Sequence, residues 1–236
     1  MGKAICNVAQ SSVREENSER SPQISQILYG ESVELLEKKD GFAKVNFLQT
    51  EMGWIDERHL QEISDEDFAN RNTSILNENF RVLDLQKGKC LLSIGSEIET
   101  TEKNIPNNCT GEKISKTALE FLNVPHLSGG KSFFGVDAAN FVQLVFKIHG
   151  MFLPKNLEEM SKIGDSLFFV GESEAGDIAF FSNAEGEMIH AGIMLNNFEL
   201  IHVDEKVRID TIDSTGIYSK EQRKHTYLLR VVQRIL

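Results

Sequence analysis

The chain has 236 residues, of which 40% are apolar, and its formal net charge at pH 7 is −11. This length is enough for one large domain or for two to three small ones. No stretch approaches the roughly 20 consecutive apolar residues that span a bilayer. The acidic balance argues against nucleic acid and membranes as partners, because both present negative charge to a negatively charged protein.

Cysteine usage and the start of the chain narrow the possibilities further. The three cysteines, Cys6, Cys90 and Cys109, are far apart and contain no CxxC pair. We therefore expect no metal site, no cofactor and no disulfide framework. The first residues are not a charged region followed by a long apolar run, so no signal peptide is visible. This predicts a cytoplasmic location, or the cell envelope if a leader has been removed.

Residues 1–63 have the pattern of a small β-barrel. Short strand-like runs alternate with polar turns at residues 30–31 and 40–41. Five short strands in about sixty residues are typical of such a barrel. Trp54, the only tryptophan, is expected in the barrel wall. The predicted strands are residues 5–8, 24–29, 32–37, 43–47 and 53–55.

Residues 64–112 carry a weaker pattern. Residues 80–85 and 90–95 are strand candidates. We interpret them as part of a second, degenerate barrel of the same kind. The stretch 103–111, which contains Pro106 and three asparagines, is predicted to be a linker.

From residue 113 the pattern becomes helical and then strand-like. The strongest helix is predicted over residues 137–149, with Asp137 as N-cap and Gly150 at its end. Helices followed by antiparallel strands indicate an α+β domain over residues 113–236. Further helices are predicted over residues 114–123 and 157–163, and strands over residues 177–181, 189–195, 198–203 and 227–235.

Several phrases resemble known families. Residues 13–16, 26–31 and 53–55 make the first 63 residues similar to a bacterial SH3 domain. Residues 135–142, the strand phrase at 176–181 and two histidines twelve residues apart resemble the NlpC/P60 family of cell-wall cysteine peptidases. In particular, the chain resembles the SH3-containing branch, which cleaves γ-D-glutamyl bonds to a diamino acid in peptidoglycan stem peptides. The resemblance implies a papain-like domain after the barrel, with helices packed on an antiparallel sheet.

The same resemblance assigns catalytic roles and reveals a missing group. It implies that His190 is the general base and that His202 is the third member, which orients it. The family's signature at the helix start is Asp-Cys-Ser-Gly-Phe, whereas this chain has Ala138 in place of the cysteine. Losing a triad nucleophile costs on the order of a million-fold in rate. The chain as written is therefore expected to be inactive.

Other positions of the expected ligand-binding cleft are also altered. Two match the family, Asp137 and Glu16, the latter as an acidic residue of the corner that holds the peptide's amine. The remaining positions differ: Ala139 replaces a serine, Asn156 an aspartate, His126 a tyrosine, Ser128 a tryptophan and Glu51 a tyrosine. Several changes clustered on one cleft favour a natural loss of activity.

The two histidines make a geometric demand. His190 and His202 lie on neighbouring predicted strands, and side chains alternate between the two faces of a strand. Both rings reach one face only if the connection has an odd number of residues, such as 195–197. A two-residue turn at 196–197 would place them on opposite faces.

Two functions of different classes stay open at this point. In the first, the chain is an inactive homologue that binds a peptide, either a murein stem peptide or another peptide, or a protein partner. In the second, it is a γ-D-glutamyl-L-diamino acid endopeptidase whose cysteine was exchanged for Ala138. Ser132 and Thr117 are the hydroxyls nearest in sequence, but neither stands at the predicted helix start.

Overall fold

The computed structural model describes residues 2–47, 51–101 and 109–236. The chain divides into two compact units. The first comprises residues 1–105 with 127–133, and the second residues 106–126 with 134–236.

An antiparallel sheet of seven strands curls into a barrel in the first unit. The strands are β1 (Gly2–Cys6), β2 (Gln10–Arg14), β3 (Gln23–Leu28), β4 (Ser32–Lys39), β5 (Phe42–Phe47), β6 (Glu51–Asp56) and β7 (Leu60–Ile63). They pair in the order β3-β2-β6-β5-β4-β1-β7. Alternate residues such as Ala43, Val45 and Phe47 point into an apolar core. The predicted N-terminal β-barrel is confirmed, whereas β2 and β7 were not among the predicted strands.

The turn between β4 and β5 is the one that the sequence predicts. Asp40 and Gly41 have φ values of 51° and 80°, as a two-residue type I′ turn requires. Trp54 lies in β6 with its ring half-buried, and the Lys44 ammonium stands 5.9 Å from the ring centroid. Trp54 therefore takes its expected place in the barrel wall.

Residues 64–101 belong to the same compact unit. They form helix α1 (Asp65–Asn70) and strands β8 (Thr73–Ile75), β9 (Phe80–Leu85), β10 (Gly88–Ser93) and β11 (Glu97–Glu99). Strand β9 pairs with β10 and β8 with β11, as two separate two-stranded sheets. The interpretation of 64–112 as a second SH3-like domain stays a prediction. Most of the predicted linker 103–111 lies outside the described residues, and its last residue, Gly111, begins a helix.

The segment 127–133 completes the first unit and contains the short strand β12 (Lys131–Ser132). The Lys131 ammonium lies 2.7 Å from a carboxylate oxygen of Glu31, and both side chains are buried. The other oxygen of Glu31 accepts a hydrogen bond from the Leu28 backbone N–H at 2.8 Å. This hydrogen-bonded ion pair fixes the segment within the unit.

The second unit is built around an antiparallel sheet that closes on itself. The two-residue strand β13 (Gly135–Val136) stands outside this sheet, whose seven strands are β14 (Asp165–Ser166), β15 (Ile178–Ser182), β16 (Met188–Met194), β17 (Glu199–Asp204), β18 (Lys206–Ile212), β19 (Gly216–Ser219) and β20 (Lys224–Arg234). The order is β14-β20-β15-β16-β17-β18-β19, and β19 also pairs with β20. Phe181, Met194 and Leu200 belong to the buried core of this sheet. The prediction missed β13, β14, β18 and β19.

Three helices accompany this sheet: α2 (Gly111–Glu120), α3 (Ala138–Ile148) and α4 (Leu157–Met160). Helix α3 packs against β16 and β17, and Phe141 on α3 meets Phe121 edge to face at 5.6 Å. Helix α4 is shorter than predicted. Helices packed on an antiparallel sheet confirm the predicted α+β class. Among the described residues, no helix is long and apolar enough to cross a membrane.

Candidate active site

The first turn of α3 is held by its capping residue. Asp137 is the N-cap: its Oδ1 accepts a hydrogen bond from the Asn140 backbone N–H at 2.7 Å, and its Oδ2 accepts one from Asn140 Nδ2 at 3.0 Å. Ala138 is therefore the first helical residue, and its methyl group is half-buried. At this position unpaired N–H groups and the helix dipole favour negative charge. The pKa of a thiol at position 138 would be lowered, but this position carries a methyl group.

The facing sheet brings the two predicted histidines together. Strand β16 pairs with β17 so that Gly192 stands opposite His202, and Met194 opposite Leu200. Five residues separate that last pair, which is an odd number, so His190 and His202 share one face as expected. The residues between this pair are 195–199, of which Glu199 already belongs to β17, rather than the suggested connection 195–197. Nε2 of His190 lies 2.9 Å from Nδ1 of His202.

Two further residues, Asp210 and Arg208, extend the hydrogen-bonded network of the histidine pair. The sequence analysis gave neither of them a role at the site. Nε2 of His202 lies 3.1 Å from Oδ2 of Asp210. Arg208 in turn contacts Asp210, with Nε 2.7 Å from Oδ2 and Nη2 3.1 Å from Oδ1. His202 pairs with Arg208 across the β17–β18 hairpin, so the two-residue period of β18 puts Arg208 and Asp210 on the same face as His202. The register of the β17–β18 hairpin would have been enough to predict that Arg208 and Asp210 lie beside His202.

These contacts determine which ring nitrogens carry protons. Burial alone would raise the pKa of Asp210, but hydrogen bonds from His202 and Arg208 hold it below its usual value. An ionised carboxylate only accepts, so Nε2–H of His202 donates to it, and in a neutral His202 ring Nδ1 is then an acceptor. His190 must then donate from Nε2–H. Its Nδ1 keeps a lone pair, which is the form a general base needs.

His190 itself is neutral at pH 7. Burial first, and then the charges of His202 and His126, lower its pKa well below the usual 6.5. The ring is only 4% exposed. It stacks on Tyr227 with centroids 4.1 Å apart and planes 15° apart. Because the ring is packed and hydrogen-bonded, its orientation is fixed without any help from a thiol.

Ala138 and His190 line one cavity, which has a volume of about 410 Å³. Its wall carries the carboxylates of Asp137, Asp204 and Glu205 and, among residues 2–47, 51–101 and 109–236, no lysine or arginine. The remaining lining residues are His126, Ala139, Leu157, Ile189, Val203 and Tyr227. Burial raises the pKa of Tyr227, and the neighbouring charge of Asp204 raises it further. The cavity therefore has an acidic wall and a neutral imidazole.

Some of the predicted ligand-binding residues lie outside this lining. Asn156 is exposed and serves as the N-cap of α4, where its Oδ1 accepts the Glu159 backbone N–H at 3.1 Å. Glu16, Glu51 and Ser128 belong to the first unit. Glu16 is exposed, Glu51 begins β6 half-buried, and Ser128 offers its carbonyl to Gln23 Nε2 at 3.0 Å. Of the predicted ligand-binding residues, His126, Asp137 and Ala139 line the cavity.

Neither hydroxyl that the sequence offered as a substitute nucleophile lines the cavity. Thr117 Oγ1 is 2.8 Å from Nε2 of His149, and Ser132 belongs to the first unit. Within residues 2–47, 51–101 and 109–236, no group of three or more His, Cys, Asp or Glu side chains is arranged to hold a metal ion.

Comparison with protein families matches both parts of the chain. Residues 123–226 match the NlpC/P60 family, and residues 9–61 match the bacterial SH3 domain. A γ-D-glutamyl-L-lysine dipeptidyl-peptidase of Bacillus subtilis (strain 168) is 32% identical over 117 residues, 48% of this chain and 39% of that protein. A protein of the same name from Bacillus cereus is 24% identical over 133 residues, 54% of this chain and 39% of that protein. The matches thus span about two fifths of either relative.

Solved structures agree with the fold. An NlpC/P60 family protein from Bacillus cereus ATCC 10987 gives a TM-score of 0.81 at 17% identity and covers 99% of both chains. An NlpC/P60 endopeptidase from Photobacterium damselae subsp. piscicida gives 0.72 at 12% identity, covering 97% of this chain and 70% of that one. At these identities the likeness shows the fold alone. The family matches and the fold together place a bacterial SH3 domain at residues 9–61 of this chain, followed at residues 123–226 by a domain of the NlpC/P60 family.

Proposed function

We propose that this chain binds a peptide in the cavity at Ala138 and does not cleave it. The observation that carries the proposal is the methyl group of Ala138 at the first residue of α3, in a cavity shared with His190. A general base without a nucleophile cannot form the covalent intermediate of a cysteine peptidase. The remaining assistance from binding and positioning is small beside the roughly million-fold loss.

The lining supports a ligand that carries an amino group. Three carboxylates, those of Asp137, Asp204 and Glu205, line the cavity, and none of its lining residues in the described part of the chain is a lysine or an arginine. Such a wall attracts an ammonium group and repels a free carboxylate. The neutral His190 adds an acceptor, because its Nδ1 lone pair accepts an N–H from the ligand. A peptide with a free amine, on its backbone or on a diamino acid side chain, meets both requirements.

The relatives give this peptide a first identity to test. The two curated relatives are named for γ-D-glutamyl-L-lysine, a peptide unit that contains a diamino acid. A murein stem peptide is therefore our first candidate ligand. The replacement of several cleft positions makes another peptide, or a segment of a protein partner, the next candidate.

The intact relay favours a second function. The hydrogen-bonded series His190–His202–Asp210 contains both contacts that would orient His190 as a general base. A cysteine peptidase of the γ-D-glutamyl-L-diamino acid class, with Ala138 in place of its natural cysteine, would have this site. The codon of the native gene separates the two functions directly: an alanine codon supports the binding protein, and a cysteine codon supports the peptidase.

Calorimetric titration with the tripeptide L-Ala-γ-D-Glu-diaminopimelate tests the binding claim. We expect saturable heat at pH 7. An Asp204→Asn variant should bind about fivefold more weakly, because one carboxylate of the wall is neutralised. Asp213→Asn is the matched control: Asp213 is outside the cavity lining and should leave the affinity unchanged. Absence of heat would exclude the stem peptide and direct the search to protein partners, and equal affinities of all three proteins would contradict the assigned cavity.

A further inference from the structure

The first unit contains a cavity of its own, with a volume of about 590 Å³. It lies where β1 and β7 of the barrel, helix α1 and the ends of β8 and β11 come together. Strand β7 is the last strand of the sheet, so the cavity adjoins an edge of the barrel. The lining residues are Ile5, Gln61, Ile63, Asp67, Asn70, Arg71, Asn72, Glu99, Thr100 and Thr101.

Arg71 is the unusual residue of this lining. It is the C-cap of α1, and its backbone N–H donates to the Phe68 carbonyl at 3.3 Å. Its side chain is only 10% exposed, and its Nε atom is buried. Even so, Nε has no hydrogen-bond acceptor among the described residues. The paired carboxylate oxygen of Glu99 is 3.6 Å from Nε, beyond hydrogen-bond distance, and the Glu99 side chain is 74% exposed.

The Nε–H group of this guanidinium lacks the acceptor that a buried donor normally has. Taking a cation out of water is costly unless donors find acceptors and the charge finds a close partner. Glu99 is mostly exposed and its carboxylate is 3.6 Å from Nε, so it supplies neither a hydrogen-bond acceptor nor a close, desolvated counter-charge. A carboxylate bound from solution would supply both, because the two oxygens match the planar fork of arginine.

Other lining groups restrict what else the ligand carries. Amide groups of Asn70 and Asn72 offer donors and acceptors suited to peptide N–H and C=O groups. The carboxylates of Asp67 and Glu99 stand in the same wall and would repel a purely anionic ligand. They would attract an ammonium group on the same molecule. Ile5 and Ile63 add apolar surface.

We propose that this cavity is a second binding site, which takes the carboxylate end of a short zwitterionic peptide on Arg71 and its ammonium end beside Asp67 and Glu99. Its volume falls within the range of about 300–1,000 Å³ that small-molecule sites occupy. All of its lining residues belong to the first unit. The proposal is therefore independent of the cavity at Ala138.

Titration of the isotope-labelled full chain with the dipeptide alanylalanine, followed by amide NMR, tests the site. We expect saturable shifts at Asn70, Asn72 and Thr100. N-acetyl-alanylalanine lacks the ammonium and alanylalaninamide lacks the carboxylate, so both should bind at least about tenfold more weakly. Absence of shifts at these residues up to millimolar dipeptide, or shifts only around Ala138, would overturn the proposal. Equal binding of all three peptides would also overturn it.

Two substitutions separate a binding role of Arg71 from a structural one. Arg71→Gln should weaken alanylalanine binding at least about tenfold, and Arg71→Lys should lie between it and the native chain, because lysine keeps the charge but not the fork. Arg58→Gln is the matched control, since Arg58 is 78% exposed and pairs with Asp56 outside the cavity. If Arg71→Gln fails to fold, Arg71→Lys and the peptide series decide. Native affinity in a folded Arg71→Gln or Arg71→Lys protein contradicts the site.

Discussion

His190 and His202 are joined through a hydrogen bond of 2.9 Å between Nε2 of the first ring and Nδ1 of the second, with the ring planes at 88°. The N–H of one ring and the nitrogen lone pair of the other each lie in the plane of their own ring. The N–H can therefore point along the lone pair even though the two planes are perpendicular. The bond transmits the constraint of Asp210 from His202 to His190. His190 is therefore held in the orientation that a general base needs, in a cavity that it shares with Ala138.

Replacing Asp210 with asparagine should release this constraint. An amide offers both a donor and an acceptor to His202, so the tautomers of both histidines become mixed. Nitrogen NMR should show His190 protonated at Nε2 in the native chain and a mixture in Asp210→Asn. The free energy of unfolding should also fall by about 1–3 kcal/mol, since Arg208 loses its buried partner.

Asp213→Asn is the control for this change. Asp213 makes a similar contact to a histidine, 3.0 Å from Nε2 of His225, but its side chain is 57% exposed. Its loss should cost less than about 1 kcal/mol. An unchanged His190 tautomer in Asp210→Asn, with native stability, would contradict the relay.

Stability should fall in mild acid because of His190. Its folded pKa lies well below the unfolded value of about 6.5. As the pH drops through the unfolded value of about 6.5, His190 takes up a proton in the unfolded chain but stays unprotonated in the folded chain. The free energy of unfolding therefore decreases between about pH 7 and pH 5, by up to about 1.4 kcal/mol per pH unit for this one group.

Urea unfolding at several pH values measures this contribution. In a His190→Gln variant the slope between pH 7 and pH 5 should become shallower by about that amount. Histidines that do not interact with His190, such as His149 and His225, contribute equally to both proteins and cancel, so the difference reports His190 together with its coupling to His202 and His126. The same slope in both would mean that His190 titrates normally in the folded chain.

Introducing a thiol at the start of α3 should produce a reactive group. In Ala138→Cys the new thiol stands among unpaired helix N–H groups and shares the cavity with His190, so its pKa should fall below the usual value of about 8.5. Alkylation by iodoacetamide at pH 6, followed by peptide mapping, should modify it much faster than Cys6, whose pKa burial raises to about 12.

Ala139→Cys provides a thiol one residue further along the same helix. It should react more slowly, and adding His190→Ala to Ala138→Cys should slow that variant too. Equal rates in all three proteins would show that neither the helix start nor His190 acts on position 138.

The capping role of Asp137 should be visible in stability. Asp137→Ala removes the acceptor of the Asn140 N–H and should lower the free energy of unfolding by about 1 kcal/mol. Asn156→Ala removes the equivalent bond from α4, which has only four residues and an exposed cap. Its smaller expected cost makes it the comparison, and the ranking is read from urea unfolding. A larger effect for Asn156→Ala would contradict this assignment.

Local signals made α3 and the histidine pair predictable from the sequence. Asp137 and Gly150 mark the ends of the helix, and an apolar stripe marks its buried face. Side chains alternate along a strand, so the sequence alone shows that His190 and His202 share a face when the β16–β17 connection has an odd number of residues. These features depend on residues close together in the chain.

Features that depend on distant residues were missed. In β2 the inward positions include Ser11, which is buried and 3.0 Å from Nδ1 of His59, so no apolar alternation marks the strand. In β18 a buried Asp210 interrupts the apolar pattern for the same reason. The first residue of α2, Gly111, is a glycine because a Cβ there would stand 1.7 Å from the Ala175 carbonyl oxygen. Only the tertiary fold reveals such contacts.

The most direct test of the account is mass spectrometry of the native chain after prolonged incubation with L-Ala-γ-D-Glu-diaminopimelate at pH 7, under conditions where calorimetry records binding. We expect the tripeptide to stay intact, because Ala138 offers no nucleophile to the carbonyl carbon. The masses of L-Ala-γ-D-Glu and free diaminopimelate, released above the rate in buffer alone and lost in His190→Ala, would contradict it. That result would mean that another group of the chain supplies the missing nucleophile.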